Sequence, residues 1–99
     1  LELYRELDPT HTAWCLEGIA AMAYSEQQYE RTTRLCAAAA TLRASADTPP
    51  PPSEQEDIDR IVMTTRAELG VRSFADEWEI GSRMGHEDAI SYALGGLAD

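Results

Sequence analysis

The chain of 99 residues has no lysine, one phenylalanine and only two cysteines, and these scarcities exclude several kinds of protein. Two cysteines are too few for a secreted domain held together by disulfides. No uncharged apolar run approaches the roughly 18–20 residues of a membrane helix. The eight basic residues are all arginine and face eighteen acids, so the net charge is −10. With no basic stripe to meet phosphates, we expect a cytoplasmic protein without direct contact to nucleic acid or membrane.

Strand signals are also scarce. There is no alternating pattern rich in Val, Ile and Thr, and no Asn-Gly turn that would predict a hairpin of strands. Turn residues concentrate in one place, Thr48–Pro52, and most of the remaining sequence follows the helical period. The hydrophobic content of 43% is ordinary for a globular protein. The sequence therefore predicts an all-α domain with one modest core.

Two helices are predicted before the prolines. Asp8 has the right side chain for an N-cap and Pro9 suits a first helical turn, so a helix should occupy residues 8–24. Ser25–Gln28 has the pattern of a capping box, in which the serine and Gln28 satisfy each other's backbone amides. This pattern predicts that the second helix occupies residues 26–46.

The composition of these two helices predicts how they pack. The first is apolar around most of its circumference, so we expect it to be buried on more than one side, with Trp14 as a core anchor. Cys15 and Cys36 lie in apolar helical stretches and are expected to be free thiols buried in the core. The run Ala37–Ala40 has no bulky side chain, which should let a neighbouring helix approach closely.

Residues 47–52 form a proline linker, because proline has no backbone donor and a fixed φ. Ser53–Glu56 has the pattern of a second capping box, and a third helix is expected over residues 53–69. Gly70 should end it, and a fourth helix should follow over residues 71–83. The third helix carries one apolar stripe: Ile58, Ile61, Val62, Thr65 and Leu69.

Short connections between helices favour antiparallel neighbours, so the chain is predicted to form helical hairpins within a single domain, 1–99. Residues 8–46 would be the first hairpin and residues 53–83 the second. Residues 86–97 would form a terminal helix, and residues 1–7 the end of a preceding one. The sequence begins at Leu1, so we expect a piece of a longer helical array.

Residues with catalytic or metal-binding chemistry are present without the spacing that such sites need. The cluster Glu54, Glu56, Asp57 and Asp59 falls where the N-terminus of a helix favours negative charge. Asp76, Glu77 and Glu79 are expected on a solvated face, and His11 and His86 at the surface or its boundary. No phosphate loop, dinucleotide fingerprint or zinc motif occurs. We therefore assign no catalytic, cofactor-binding or metal-binding residue and expect no enzyme and no cofactor.

Two features leave room for a binding surface. Trp14 and Trp78 are predicted core anchors, but either one, if exposed, would be the first candidate for an interface hot spot. Residues 53–99 carry a net charge of −7. A solvated acidic face explains this charge, and a docking surface for a basic partner is the alternative.

Five blocks, taken in order, resemble the C-terminal tetratricopeptide-like helical region of LuxR-type (MalT-like), ATPase-containing bacterial transcriptional regulators. These blocks are "AWCLEGIAAMA", "QYERTTRLCAAAATLRAS", "PPPPSEQEDIDR", "AELGVRSFADEWEIG" and "EDAISYAL". The chain departs from the repeat pattern at Ala20, Ala23 and Thr32, where the repeat has Gly, Tyr and Ala, and its closing proline comes late.

The resemblance implies an α-solenoid fragment with a C-terminal capping helix, formed by a degenerate terminal repeat. It also implies a scaffold that binds a protein, a peptide or neighbouring repeats, and it implies no catalytic residue. A self-associating dimerisation domain of such a regulator is the alternative, with the apolar face of residues 1–7 pairing two copies into a homodimer. A ligand-binding bundle or small enzyme is the third hypothesis, and it predicts a pocket with convergent polar groups at the hairpin junction.

Overall fold

Most of the residues that the structure describes lie in helices. The computed structural model describes the backbone of residues 8–98 and the side chains of residues 8–95. Within that range the backbone forms five helices and no strand: α1 (Pro9–Ser25), α2 (Tyr29–Ala46), α3 (Pro52–Leu69), α4 (Val71–Ser82) and α5 (His86–Ala98). The predicted all-α class is confirmed, whereas the pairing into two hairpins stays a prediction. The helix end predicted over residues 1–7 lies outside the described residues.

Helix α1 begins as its sequence predicts. Asp8 is extended, with φ −75° and ψ 155°, and its carboxylate accepts a hydrogen bond from the backbone amide of His11 at 3.0 Å. Pro9 occupies the first turn, where its missing N–H leaves no hydrogen bond unmade. This cap fixes where the chain enters the fold.

The predicted capping box at Ser25–Gln28 is wrong. Ser25 is the last residue of α1, and its hydroxyl donates to the carbonyl of Met22 at 2.7 Å. The chain turns through Gln27, whose φ is 60°, and α2 starts only at Tyr29 without a side-chain cap. The reversal between α1 and α2 needs a left-handed residue, and this need overrides the local capping pattern.

The second predicted capping box, at Ser53–Glu56, is also wrong. Helix α3 starts one residue earlier than expected, at Pro52, and no side chain caps it. Proline is already set to the helical φ, so it can open the helix in place of Ser53. The linker therefore covers residues 47–51, and Pro51 has the polyproline II angles expected of it, φ −57° and ψ 153°.

Helix α2 is the centre of the fold and contacts each of the other four described helices. Helix α1 packs along it extensively, and α4 packs more against α2 than against its sequence neighbour α3. The core is a cluster of small and aliphatic side chains contributed mainly by α1, α2 and α5: Ala13, Leu16, Ala20, Leu35, Cys36, Ala38, Ala39, Leu42, Ala89 and Ala93.

The alanine run of α2 forms a close helix crossing, as its sequence predicts. Ala37, Ala38 and Ala39 are fully buried, and Gly81 of α4 lies directly against the backbone of α2. A Cβ atom added at Gly81 would lie 2.8 Å from the Cα of Arg34 and 2.9 Å from the Cβ of Ala37. No side chain fits between the two helices at this point.

Polar contacts hold α5 to the rest of the fold. Arg31 of α2 donates to the carbonyl of Ala93 at 2.7 Å, and its guanidinium lies 5.0 Å from the centre of the Tyr92 ring. The Nε2 of His86 lies 2.6 Å from the hydroxyl of Thr12 on α1. These contacts join α5 to α1 and to α2.

Helix α3 is packed loosely. Its one fully buried side chain is Thr65, and the predicted apolar stripe is otherwise only half covered. The stripe faces the other helices as expected, but α3 contacts α1 only slightly. Space is therefore left along both sides of α3.

We predict that Gly81→Ala lowers the free energy of unfolding by about 1–3 kcal/mol, because the new methyl group must push α4 away from α2. The matched control is Gly18→Ala in α1, where no heavy atom outside the adjoining part of α1 itself lies within 4 Å of the added Cβ. That variant should gain about 0.5–1 kcal/mol from helix propensity alone. Urea unfolding followed by circular dichroism measures both, and equal effects of the two variants would contradict the close crossing.

Candidate protein-binding groove

One face of α1 is uncovered, contrary to the prediction that this helix is buried on more than one side. Trp14 is 56% exposed and Met22 is 54% exposed, and Cys15 between them is also exposed. The buried residues of α1 are those that face α2 and α5. The expectation of a buried Trp14 and a buried Cys15 was wrong because α3 does not reach far enough across α1 to cover them.

These exposed side chains line a groove between α1 and α3, which we call the α1–α3 groove. It encloses about 580 Å³ and is open to solvent along its length. Its apolar lining comes from both helices: Trp14, Cys15, Gly18, Ile19, Ala21 and Met22 of α1, and Ile58 and Ile61 of α3. Gly18 leaves the floor of the groove without a side chain.

The charged residues of the α1–α3 groove are all acidic. Glu54 and Asp57 line it from the first turns of α3 and Glu17 lines it from α1, and within residues 8–95 no arginine or histidine does. Asp57 has an arginine nearby, Arg60, at 3.0 Å. Both side chains of that pair are about two-thirds exposed, so the pair adds little energy and leaves Asp57 available.

Glu17 is held in place by a shielded ion pair beneath the groove. Its two carboxylate oxygens accept from Arg43 of α2, at 2.6 Å from Nε and 2.9 Å from Nη2. Arg43 also donates to the carbonyl of Thr48 at 3.0 Å, which ties the start of the proline linker to α2. The hydrogen bond to Glu17 raises the pKa of Arg43 above its ordinary value. The hydrogen bonds of Arg43 to Glu17 and to Thr48 thus position α1, α2 and the linker against one another.

We predict that Glu17→Gln lowers the free energy of unfolding by about 3 kcal/mol, because Arg43 keeps its charge in a shielded place without a counter-ion. The matched control is Glu79→Gln, which breaks the exposed pair between Glu79 of α4 and Arg83, the residue that follows this helix. That control should cost less than about 1 kcal/mol. Urea unfolding of the two variants measures the difference, and equally small losses would show that the Glu17–Arg43 pair does not hold the fold.

A second crevice, of about 400 Å³, lies on the other side of α3 beneath the proline linker. It is the place where the ligand-binding hypothesis expects a pocket with convergent polar groups. Its polar groups include Glu17 and Arg43, which already bind each other, and its walls include Cys36, Val62 and Trp78. The crevice therefore lies where the ligand-binding hypothesis requires a pocket. Its arginine, however, is already paired with Glu17.

The two thiols lie in opposite environments. Cys36 is buried and Cys15 is exposed, and neither forms a disulfide. Burial raises the pKa of Cys36 from 9.0 to about 12, with a further contribution from the negative charge of Glu17. The free, buried thiol predicted at Cys36 is confirmed.

We predict that a thiol reagent modifies Cys15 quickly in the folded protein and Cys36 only after unfolding in urea. Raising the pH toward 9.0 should leave the reaction of Cys36 in the folded protein slow, because burial raises the pKa of its thiol. The raised pKa also means that the unfolded chain loses the Cys36 proton first, so the free energy of unfolding should fall as the pH rises from 9.0 toward 12. Two fast thiols, or a fast thiol in Cys15→Ser, would contradict this assignment.

The remaining candidate residues are not brought together into a reactive site. His11 is exposed, with its ring centre 6.0 Å from that of Trp14, and His86 lies at the boundary against Thr12. Among the described residues, no group of three His, Cys, Asp or Glu side chains is placed to hold a metal ion. None of the helices described is long and apolar enough to span a membrane.

The acidic residues of α4 differ from the prediction in one case. Asp76 and Glu79 are exposed as expected, but the carboxylate of Glu77 accepts from Arg34 of α2 at 2.5 Å and is only 14% exposed. Trp78 is half buried, stacks on Phe74 with ring centres 5.6 Å apart, and packs against the core. Trp78 is therefore only partly the buried core anchor that was predicted.

Trp14 was predicted from the sequence as a hot-spot candidate, whereas its neighbours in the groove were not. Trp14, Gly18 and Met22 follow one another at i, i+4 and i+8, which places them on one face of α1. The signal was present in the excess of apolar residues around α1. It could not be read as a groove without knowing which side α2 covers.

Comparison with protein-family models, with curated proteins and with solved structures found no match, so any family assignment depends on the resemblance of the five sequence blocks.

Proposed function

We propose that this chain is a non-catalytic protein-interaction module and that the α1–α3 groove is its binding surface. The observation that carries the proposal is the pairing of two large exposed apolar side chains, Trp14 and Met22, with the half-buried Ile58 and Ile61 across the groove. Contiguous apolar surface rimmed by charge is typical of protein-binding sites. Tryptophan at such a site is the side chain that most often carries the binding energy.

The larger setting of the module is proposed from the resemblance alone. We propose that helices α1 and α2 form one hairpin and α3 and α4 another, within the helical-repeat region of a LuxR-type bacterial regulator in the cytoplasm. The connection of three residues between α1 and α2, and the extensive contact of these two helices, support the first hairpin. In this setting the groove would present its apolar face to a partner protein, a peptide or a neighbouring repeat.

The alternative is a self-associating dimerisation domain of such a regulator. The same exposed apolar side chains favour it, because a second copy could also cover them. The residues first expected to pair, 1–7, lie outside the described range. The acidic character of the groove weighs against the alternative, because two copies would bring like charges together.

We predict that peptides selected from a random library against the intact chain bind in the α1–α3 groove. Trp14→Ala should weaken their binding about tenfold or more, as loss of a hot-spot tryptophan does. Met63→Ala is the matched control, since Met63 is 73% exposed on α3 but does not line the groove. Fluorescence anisotropy of labelled peptides measures both variants.

Two results would contradict the proposal. One is that no peptide is enriched over a library passed across blank resin. The other is that the enriched peptides bind wild type and Trp14→Ala equally well, which would place their site elsewhere.

A further inference from the structure

The α1–α3 groove has a shape that suits a helix. Its two walls are helices, and the exposed residues Trp14, Gly18 and Met22 follow one face of α1 over about 12 Å, at 1.5 Å per residue. A helix lying along this face would present apolar side chains at i, i+3 or i+4, and i+7. The described residues contain no strand, so no strand edge is available there for an extended peptide to extend a sheet.

The floor of the groove has room for such a side chain. Apart from Gly18, its chain neighbours and the local backbone of α1, no heavy atom lies within 4 Å of the position that a Cβ atom would take at Gly18. Trp14 lies one turn before this gap and Met22 one turn after it, and both are more than half exposed. A partner side chain placed over Gly18 would therefore be flanked by two large apolar groups.

The charge of the groove restricts the partner further. Glu54 and Asp57 line the α3 side, and none of the residues that the structure describes brings a basic side chain to either side. A nucleic acid or an anionic lipid surface would be repelled. A second copy of this chain would bring a net charge of −10 against another −10 and place acidic rims in contact.

We infer that the α1–α3 groove takes a basic amphipathic helix from a partner protein, with its apolar face on Trp14 and Met22 and its arginine or lysine side chains over Glu54 and Asp57. The inference rests on the proposed function, since it specifies the partner of the same groove. Apolar contact supplies most of the affinity, and the acidic rim sets the orientation, the rate of encounter and the selectivity for positive charge.

The test uses the intact chain and synthetic helical peptides of about 14 residues, or four turns. The basic peptide carries leucine at i, i+4, i+7 and i+11 and arginine or lysine elsewhere. The acidic peptide replaces each basic residue with glutamate. The scrambled peptide keeps the basic composition but distributes the leucines around the helix. Fluorescence anisotropy should show that the basic peptide binds about tenfold or more tightly than either of the others.

Variants locate the bound helix. Gly18→Phe fills the floor of the groove where space is open, so the protein should fold normally and bind the basic peptide about tenfold more weakly. The double variant Glu54→Gln, Asp57→Asn should weaken binding at low salt and have little effect at about 1 M salt, where charges are screened beyond about 3 Å. Its matched control is Glu68→Gln, Asp76→Asn, which removes the same charges from exposed positions outside the groove.

Several results would overturn the inference and leave the proposed function standing. Equal binding of the acidic and basic peptides would remove the charge requirement. Library peptides that bind at Trp14 while the basic helix does not would remove the helix. A concentration-dependent dimer in sedimentation that Gly18→Phe dissociates would make a second copy the occupant.

Two other results are equally decisive. Binding of the basic peptide that Gly18→Phe and Trp14→Ala leave unchanged would show attraction to acidic surface in general, and would overturn the inference. If neither the library nor any synthetic peptide binds, the inference and the proposed function fall together.

Discussion

The fold depends on how closely other helices can approach α2. Ala37, Ala38 and Ala39 are buried on adjoining sides of α2 and bring no bulk there, and Gly81 lets α4 lie on the backbone of α2 without an intervening side chain. Because α2 contacts each of the other described helices, a small displacement at this crossing would be felt by all of them. Small side chains also bury little apolar area each, so this core gains its stability from close packing and from the shielded Glu17–Arg43 pair.

The loose packing of α3 is the counterpart of that tight centre. Close contact between α2 and α4 draws α4 onto the core, while α3 contributes one fully buried side chain, Thr65, and touches the core through the half-buried Ile61 and Val62. Gly70 has φ 86° and both ends α3 and precedes α4, so the chain changes direction there within one residue. The half-covered stripe of α3 leaves a groove toward α1 and a crevice beneath the linker. The groove and the crevice follow from this uneven distribution of packing.

Much of the helical architecture could be predicted from the sequence, and the predictions that were wrong have a common cause. The N-cap at Asp8 was predicted correctly because it depends on contacts within four residues. The capping boxes at Ser25 and Ser53 failed because the path between two packed helices decided where α2 and α3 begin. Local propensity amounts to about 1 kcal/mol at a helix end, which tertiary packing readily overrides.

The candidate groove could be predicted only in part. Trp14 stood out as an aromatic of interest, but an apolar pattern around a helix does not tell which side its neighbours cover. The sequence by itself determined the helices, the stiff linker, the close approach at Ala37–Ala39 and the acidic charge, because each follows from local chemistry or composition. Only the tertiary structure decided that Trp14 and Met22 lie uncovered beside Glu54 and Asp57, because exposure depends on the relative placement of α1, α2 and α3.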